Sequence, residues 1–257
     1  MSETTPQIDI VPDAATAADY AAIQLIAALH GNERPTLGLA TGATMTPLYA
    51  RLVAAYGKRG VSFRDATSFN LDEYVGVRPD SRGSFHAYMR AHLFDHVDLP
   101  PGRAHIPNGM AADIAAEAAR YEANIKAAGG IDLQLLGIGA NGHIGFNEPG
   151  SAFSSRTREI RLDDATRRAN AAHFPHAAVP ERAITMGIAT ILEARWIVLL
   201  ATGAEKADAV ACMMEGPLTT DCPASALRLH RNVQVICDAA AAGKLTRAMA
   251  GERKRAR

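Results

Sequence analysis

Cysteine and net charge are both scarce in this sequence, and each shortage excludes a class of protein. The 257 residues include three cysteines, Cys212, Cys222 and Cys237, which are scattered and show no C-x-x-C spacing. An odd, sparse set argues against a disulfide framework and fits a reducing compartment. The 27 Lys and Arg residues are balanced by 27 Asp and Glu residues. No basic field therefore favours nucleic acid or an anionic membrane as a partner.

Long apolar runs are also missing. No stretch approaches the length needed to span a bilayer, and the residues from Met1 to Thr5 are polar, unlike a signal peptide. We therefore expect a soluble, cytoplasmic protein. Hydrophobic residues nevertheless make up 48% of the chain, which is enough for a sizeable core. No repeat, low-complexity block or long linker divides the sequence, so we expect one domain over residues 1–257.

Short apolar runs alternate with amphipathic stretches along the chain. They predict strands over residues 36–40, 66–71, 132–138, 196–201 and 232–237, and helices over residues 47–56, 84–97, 114–125 and 205–215. This alternation is typical of βαβ units, so the expected fold class is α/β, with a single doubly wound, mostly parallel sheet. In such sheets the functional site lies beyond the carboxyl ends of the strands.

The first polar segment that follows a predicted strand is Thr41-Gly42-Ala43-Thr44-Met45-Thr46-Pro47. A glycine turn exposes backbone N–H groups, and the N-terminus of the helix after it favours an anion. The hydroxyls of Thr41, Thr44 and Thr46 add donors, so a phosphate site is one interpretation. The segment matches neither the P-loop nor the dinucleotide-binding fingerprint. An ordinary strand-to-helix turn is the alternative.

The second segment is Asn70-Leu71-Asp72-Glu73-Tyr74-Val75-Gly76. Two adjacent acids at the carboxyl end of a strand are well placed to act as a general base. The alternative is a solvated turn in which Asp72 acts as a cap.

The third segment, Gly137 to Gly150, is the densest in chemistry. Its glycines at 137, 139, 142, 145 and 150 allow close backbone approach to a ligand, and it contains His143 and Glu148. An imidazole beside a carboxylate suits proton transfer, which we favour over a packed core histidine. No second His or Cys stands at ligand spacing from His143, so no metal is expected. No G-x-S-x-G elbow is present, so no covalent nucleophile is expected either.

Together these segments resemble the glucosamine-6-phosphate deaminase family. The resemblance covers the chain from about Leu37 to Asp238, and its most specific part is the run Asn-Gly-His-Ile-Gly-Phe-Asn-Glu-Pro. The related 6-phosphogluconolactonases share a glycine-rich histidine loop but lack the Phe-Asn-Glu-Pro and Asp-Glu-Tyr segments. The matching stretches are 37–42, 69–76, 84–85, 94–97, 137–149 and 155–158.

The resemblance implies a modified Rossmann-like fold that needs no redox cofactor. Members act as hydrolases on an amino-sugar phosphate, converting glucosamine 6-phosphate and water into fructose 6-phosphate and ammonia. It further implies that Asp72 is the base between C2 and C1, that His143 opens the sugar ring and that Glu148 orients this imidazole. Lys206 would hold the substrate phosphate beside the loop Thr41-Gly42-Ala43-Thr44. An Asp with an ordinary pKa, about 3.9, would be ionised at neutral pH and ready to accept a proton.

The sequence departs from the family pattern at three positions. Asn141 stands where many members have Asp, Ala43 stands where Gly is common, and Ala172 replaces an Arg that binds phosphate. Arg167 and Arg168 lie nearby in the sequence, but their positions do not match that of the family's Arg. Three alternatives stay open: a galactosamine 6-phosphate substrate, lactone hydrolysis and a catalytically silent sugar-phosphate sensor.

The resemblance also bears on regulation. Family members that respond to N-acetylglucosamine 6-phosphate are hexamers whose second phosphate site uses residues matching Ser151 and Arg158, a Lys and a C-terminal Tyr. Here Ile160 occupies the Lys position, and the segment 251–257 contains no Tyr. Arg161 is one residue away and would point to the opposite face of a strand. We therefore expect no strong activation by that effector. The oligomeric state is not fixed by the sequence.

Overall fold

The computed structural model describes residues 3–174 and 178–246. Strands and helices alternate through these residues. The strands are β1 Gln7–Val11, β2 Thr36–Leu39, β3 Thr67–Asn70, β4 Asp72–Tyr74, β5 Ala104–His105, β6 Leu133–Leu136, β7 Arg158–Arg161, β8 Arg182–Thr185, β9 Trp196–Ala201 and β10 Val233–Asp238. The α-helices are α1 Ala14–Gly31, α2 Met45–Gly57, α3 Phe85–His92, α4 Ile114–Ala127, α5 Asp164–Ala169, α6 Ile188–Leu192 and α7 Ala207–Glu215.

Seven of the strands form a parallel sheet in the order β1-β10-β9-β6-β2-β3-β5. The parallel strands β2 and β6 are hydrogen-bonded neighbours, and the direction in which the chain adds further strands to the sheet reverses between them. From β2 the chain runs outward to β3 and β5, and from β6 it runs the other way to β9 and β10. This reversal is a topological switch point, where α/β sheets bind ligands. The loops after β2 and β6 are the predicted phosphate loop and the glycine-rich loop.

The central strands are hydrophobic because the sheet is covered on both faces. Every residue of β2, β6 and β10 is buried, as are five of the six residues of β9. Helix α1 packs against α2, β9 and β10. Asp13 caps α1 by accepting a hydrogen bond from the Thr16 amide at 2.8 Å. The predicted α/β class with a mostly parallel sheet is confirmed.

A second, three-stranded antiparallel sheet was not predicted. Its order is β4-β8-β7, and it surrounds an apolar cluster of Tyr74, Phe146, Leu162 and Ala183. The chain passes between the sheets through one residue, Leu71. Its amide donates to Leu39 of β2, and its carbonyl accepts from Met186 after β8. Backbone hydrogen bonds on both sides therefore fix the position of the next residue, Asp72.

Several element boundaries differ from the predictions. Helix α3 ends at His92 rather than residue 97, because Leu93 leaves helical geometry at φ −143° and ψ −60° and buries its side chain. A short 3-10 turn, Phe94–His96, follows it. Strand β6 ends at Leu136 rather than residue 138, and the glycine-rich loop begins at Gly137 as predicted. Among the residues that the structure describes, no helix combines the length and apolar character that a membrane span requires.

Candidate active site

Asp72 is the first residue of β4 and lies just beyond the carboxyl end of β3. It is 6% exposed. Within residues 3–174 and 178–246, no group donates a hydrogen bond to its carboxylate. Burial, together with the negative charge of Glu73, raises the pKa of Asp72 well above its ordinary value. The carboxyl is thus a stronger base than the ordinary Asp that the sequence led us to expect.

The adjacent Glu73 has a different environment. Its Oε1 accepts from the amides of Tyr74 and Phe85, at 2.9 and 3.0 Å. Its Oε2 accepts from the amide of His86 at 3.1 Å and lies 2.8 Å from that residue's Nδ1. Glu73 therefore holds the N-terminus of α3, where a negative charge is favourable. Of the two acids, only Asp72 has a carboxylate that is not engaged by neighbours.

His143 and Glu148 lie together in the glycine-rich loop. The distance from His143 Nδ1 to Glu148 Oε2 is 3.4 Å, a contact without hydrogen-bond alignment. Glu148 Oε2 also accepts from Asn141 Nδ2 at 2.8 Å, and Glu148 Oε1 accepts from the hydroxyl of Thr166. Burial alone would raise the pKa of Glu148, but His143, Thr166 and Asn141 together lower it. Glu148 is accordingly held as a carboxylate.

Asn141, the departure from the more common Asp, lies between the two residues. Its amide nitrogen donates to Glu148, and its oxygen accepts from the backbone amide of His143 at 3.2 Å. A carboxylate at this position could not donate to Glu148. The amide instead joins both partners without adding a second negative charge.

Three glycines set the path of the loop. A Cβ at Gly139 would overlap the imidazole of His143, so the ring lies directly on the backbone there. Gly142 has φ +84° and Gly145 has φ +55°, both in the left-handed region that favours glycine. A Cβ at Gly145 would lie 3.6 Å from Asp72 Oδ2 and 3.1 Å from the Thr185 hydroxyl. The loop therefore passes directly over Asp72.

The phosphate loop has open donors. Gly42 has φ +112°, and its carbonyl accepts from the Met45 amide at 3.0 Å as α2 begins. Within the described residues, no side chain caps α2, and the amides of Gly42, Ala43 and Thr44 donate to no other group. A Cβ at Gly137 would lie 3.2 Å from Met45, so this loop adjoins the glycine-rich loop. The hydroxyl of Thr46 does not join these open donors, because it contacts Tyr88 at 3.1 Å.

Lys206 precedes α7, at the end of the loop that follows β9. No acidic side chain in the described part of the chain forms an ion pair with its ammonium group. The loop itself is anchored because Asp238 of β10 accepts from the amide of Gly203 at 3.0 Å. Among the described residues, Lys206 thus has no ion-pair partner, and it lies on an anchored turn beyond the carboxyl end of β9.

The structure also shows where the residues lie that the resemblance matches to a regulatory site. The Arg158 guanidinium donates to Asn147 Oδ1 at 2.9 Å and to Ser151 Oγ at 3.2 Å. Ile160 packs against the apolar cluster of the small sheet. Arg161 points away, with 81% of its side chain exposed and Glu181 at 3.8 Å. The C-terminal segment 251–257, with its missing Tyr, lies outside the described residues.

Ala172 is exposed in a 3-10 turn, Ala171–His173. Arg167 is held by Asp164 and by the Val179 carbonyl, both at 3.4 Å. The described residues contain no cluster of three His, Cys, Asp or Glu side chains that could hold a metal ion.

Sequence reasoning missed some residues that shape this site. Thr166 contacts Glu148, Thr185 accepts from the Phe146 amide at 3.1 Å, and Asn147 donates to the carbonyls of Ile144 and Met186. Each contact joins residues that are distant in sequence or separated by a turn. No local pattern of residue types indicates such a partner.

A parallel α/β sheet with polar loops on both sides of its switch point defines a class of small-molecule-binding proteins. The chain belongs to the family described as glucosamine-6-phosphate isomerases/6-phosphogluconolactonase, whose sequence pattern matches residues 13–237.

Individual relatives agree with this assignment. A glucosamine-6-phosphate deaminase from Geobacillus sp. (strain WCH70) is 51% identical over 83% of this chain and 86% of its own length. One from Rhodopirellula baltica is 50% identical over 93% of this chain and 96% of its own length.

Solved structures give the same fold. A monomeric glucosamine-6-phosphate deaminase superposes with a TM-score of 0.91 and 44% identity, covering 93% of this chain and 99% of its own. The 6-phosphogluconolactonase from Trypanosoma cruzi gives a TM-score of 0.76 at 21% identity, covering 95% of this chain and 98% of its own. The second comparison supports the fold alone.

Proposed function

We propose that this protein is an amino-sugar-phosphate deaminase that converts glucosamine 6-phosphate and water into fructose 6-phosphate and ammonia. One observation carries the proposal. A buried carboxylate without hydrogen-bond partners in the described chain, Asp72, lies under Gly145 of the loop that holds His143 against Glu148. A strong base and an imidazole–carboxylate pair are thus present in one site. Relatives that bear this activity in their names, at about half identity, support the assignment.

Ring opening is the first step of the proposed reaction. The His143 imidazole takes a proton from the anomeric hydroxyl and returns one to the ring oxygen, giving the open-chain amino aldose. An imidazole can do both near neutral pH. Glu148 lies 3.4 Å from Nδ1 and limits how the ring can turn, and Gly139 supports one face of the ring.

Isomerisation follows at Asp72. Its carboxylate takes the proton from C2 and delivers it to C1. The C1 carbonyl oxygen gains a proton and the nitrogen on C2 loses one, so that C1 becomes a hydroxymethyl group and C2 an imine. Water then adds to C2 and ammonia leaves, which completes the ketose. This net exchange of a C–N bond for a C–O bond is the sense in which the enzyme is a hydrolase. The raised pKa of Asp72 increases its affinity for the C2 proton.

The substrate phosphate is assigned to the loop Thr41-Gly42-Ala43-Thr44 and to Lys206. The open amides at the start of α2 and the ammonium group without a counter-ion supply hydrogen bonds and charge. Since Ala172 contributes no charge, the loop and Lys206 carry a larger share of phosphate binding than in members with Arg at that position.

We assign the chain a monomeric state, supported by the solved relative that is described as monomeric. Light scattering during gel filtration should then give a mass near 27.2 kDa. A mass several times larger would contradict a monomer.

The test of the function is ammonia release from a set of related substrates. Purified protein should release ammonia from glucosamine 6-phosphate and form fructose 6-phosphate in equal amount. Galactosamine 6-phosphate tests the epimer at C4, and 6-phosphogluconolactone tests lactone hydrolysis. Hydrolysis of the lactone without ammonia release would replace the proposal with the lactonase alternative. Binding of glucosamine 6-phosphate without turnover would indicate a sensor.

A further inference from the structure

Two tyrosines donate hydrogen bonds to backbone carbonyl groups at the start of the phosphate loop. Tyr49, fully buried on α2, donates its hydroxyl to the Ala40 carbonyl. Tyr88, on α3, donates its hydroxyl to the Gly42 carbonyl at 2.8 Å. The two carbonyls stand on either side of Thr41, at the point where the chain leaves β2. Both carbonyl oxygens are therefore directed into the protein.

The hydroxyl of Tyr88 is the centre of a short hydrogen-bond chain. It lies 3.1 Å from the hydroxyl of Thr46, and either atom could donate by distance alone. Since the single proton of Tyr88 is used on Gly42, Thr46 must be the donor. The order is Thr46 to Tyr88 to the Gly42 carbonyl, which joins the loop to the first turn of α2. Burial raises the pKa of Tyr88 to about 12, so the hydroxyl remains a donor at neutral pH.

This arrangement fixes the direction of the amides as well. A peptide plane is rigid, so a carbonyl held on one side turns the N–H of the next residue to the other side. The Gly42 carbonyl shares its plane with the amide of Ala43, one of the amides with no partner in the described residues. Gly42 itself has φ +112°, one of many conformations that are open to a glycine, so a contact to its carbonyl restricts the loop to this one.

We infer that Tyr88 is a positioning residue for substrate phosphate: its hydroxyl, through Gly42 and Thr46, holds the loop with its amides directed at the anion. Tyr88 does not touch the phosphate. The inference rests on the proposed function only for the identity of the sugar. The inference is that the loop binds a phosphate group more tightly when the Tyr88 hydroxyl is present.

The ring of Tyr88 is held independently of the hydroxyl. It lies at 6.4 Å from the ring of Tyr49 in an edge-to-face arrangement and at 4.4 Å from the ring of His92. Tyr88→Phe therefore keeps the packing and removes the tether alone. Tyr56→Phe is a matched control, because it also removes one tyrosine hydroxyl. Tyr56 is on α2 and lines a cavity of about 670 Å³ beside Pro35 and Ala66, the residues that precede β2 and β3.

The experiment compares Tyr88→Phe, Tyr56→Phe and the unmodified protein in two measurements. The first is steady-state kinetics with glucosamine 6-phosphate. We expect Tyr88→Phe to raise KM about 3- to 10-fold, the usual effect of one hydrogen bond, with kcat changed less than twofold. The second is calorimetric titration with inorganic phosphate, for which Kd should rise by a similar factor. Tyr56→Phe should match the unmodified protein in both.

The outcomes separate this inference from the proposed function. An unmodified protein without deaminase activity would refute the function, while the phosphate titration would still test Tyr88. Unchanged phosphate affinity in Tyr88→Phe would overturn the inference, whatever the turnover. A fall in kcat with unchanged KM and Kd would also overturn it.

Thr46→Ser, which retains the first hydroxyl of the hydrogen-bond chain, should keep phosphate affinity within twofold. Thr46→Val should lose part of it, and equal affinity in these two variants would refute the hydrogen-bond chain.

Discussion

At the scale of single residues, Asp72 and Glu73 are neighbouring carboxylates with different hydrogen-bond environments. Glu73 is engaged at both oxygens by α3, whereas the carboxylate of Asp72 accepts no hydrogen bond from the described residues. A buried carboxylate without partners is unfavourable for folding, because ionisation is not compensated. Such a group is typical of functional sites, where it remains available to a substrate.

Asp72→Asn should therefore abolish turnover and stabilise the fold at neutral pH. Loss of a general base costs about 10²- to 10⁴-fold in rate. The folded-state pKa of Asp72 is raised, so the protonated carboxyl is favoured and stability is lost as pH rises from the ordinary value, about 3.9, through the raised value. Asn has no such loss. The melting temperature of the variant, minus that of the unmodified protein, should increase from about pH 4 to neutrality. A constant or falling difference would contradict the raised pKa.

His143→Gln should impair the cyclic substrate most, because the imidazole is assigned to ring opening. An open-chain analogue that cannot cyclise bypasses this step. We expect a loss of about 10²-fold or more with glucosamine 6-phosphate and a much smaller loss with the analogue. His30→Gln, an exposed substitution at the end of α1, is the control. Equal losses on both substrates would assign His143 another role.

At the scale of elements, the glycine-rich loop depends on small residues that face functional ones. Gly139→Ala introduces a Cβ that overlaps the His143 ring, which is a side chain and can rotate away. Turnover should fall about as far as in His143→Gln, while the melting temperature changes by a few degrees at most. Gly102→Ala meets no atom within 4 Å and should leave both unchanged. Full activity of Gly139→Ala would show that the observed ring position is not required.

Lys206→Ala should weaken phosphate binding without affecting the chemistry. A hydrogen bond to a charged group contributes about 1.5–3 kcal/mol, which corresponds to a KM increase of about 10- to 100-fold. The kcat should stay within a few-fold. Lys126→Ala, an exposed lysine of α4, serves as the control. A KM equal to that of the control would mean that Lys206 is an ordinary solvated side chain.

The elements that were predicted correctly are those with a strong local signal. Strands β2, β6, β9 and β10 are nearly continuous apolar runs because both faces of the sheet are covered. Strands β4, β7 and β8 have three or four residues and include charged ones, as in Arg158–Arg161, so they lack a continuous apolar run. Their pairing is antiparallel between distant segments, which a sequence pattern does not specify.

The candidate site was predictable at the level of residue types, but not in its physical state. The loop glycines, His143 and Glu148 are conspicuous in the sequence. The raised pKa of Asp72 was not predictable, since it depends on burial by the loop over Gly145. The same holds for the contact of Thr46 with Tyr88, which removes one expected donor from the phosphate loop.

At the scale of the whole molecule, regulation should be absent or weak. Ile160 is packed in an apolar cluster and Arg161 is directed to solvent, so neither supplies the charge that an anionic effector needs beside Arg158. Coupling cannot exceed the effector's difference in affinity between two states. Rate against substrate should be hyperbolic, with or without N-acetylglucosamine 6-phosphate. A sigmoidal curve that becomes hyperbolic when the effector is added would refute this.

The parallel pairing of β1 with β10 has a consequence for how the protein is made. Gln7 aligns with Gln234, so the first strand has its hydrogen-bond partner more than two hundred residues later. The helix that follows β1 also packs on β9 and β10. Strand β1 is synthesised well before β10, so it must wait for β10 before it can dock in the sheet. Closing so long a loop is slow, and β1 stays exposed to proteases and chaperones until β10 has been synthesised.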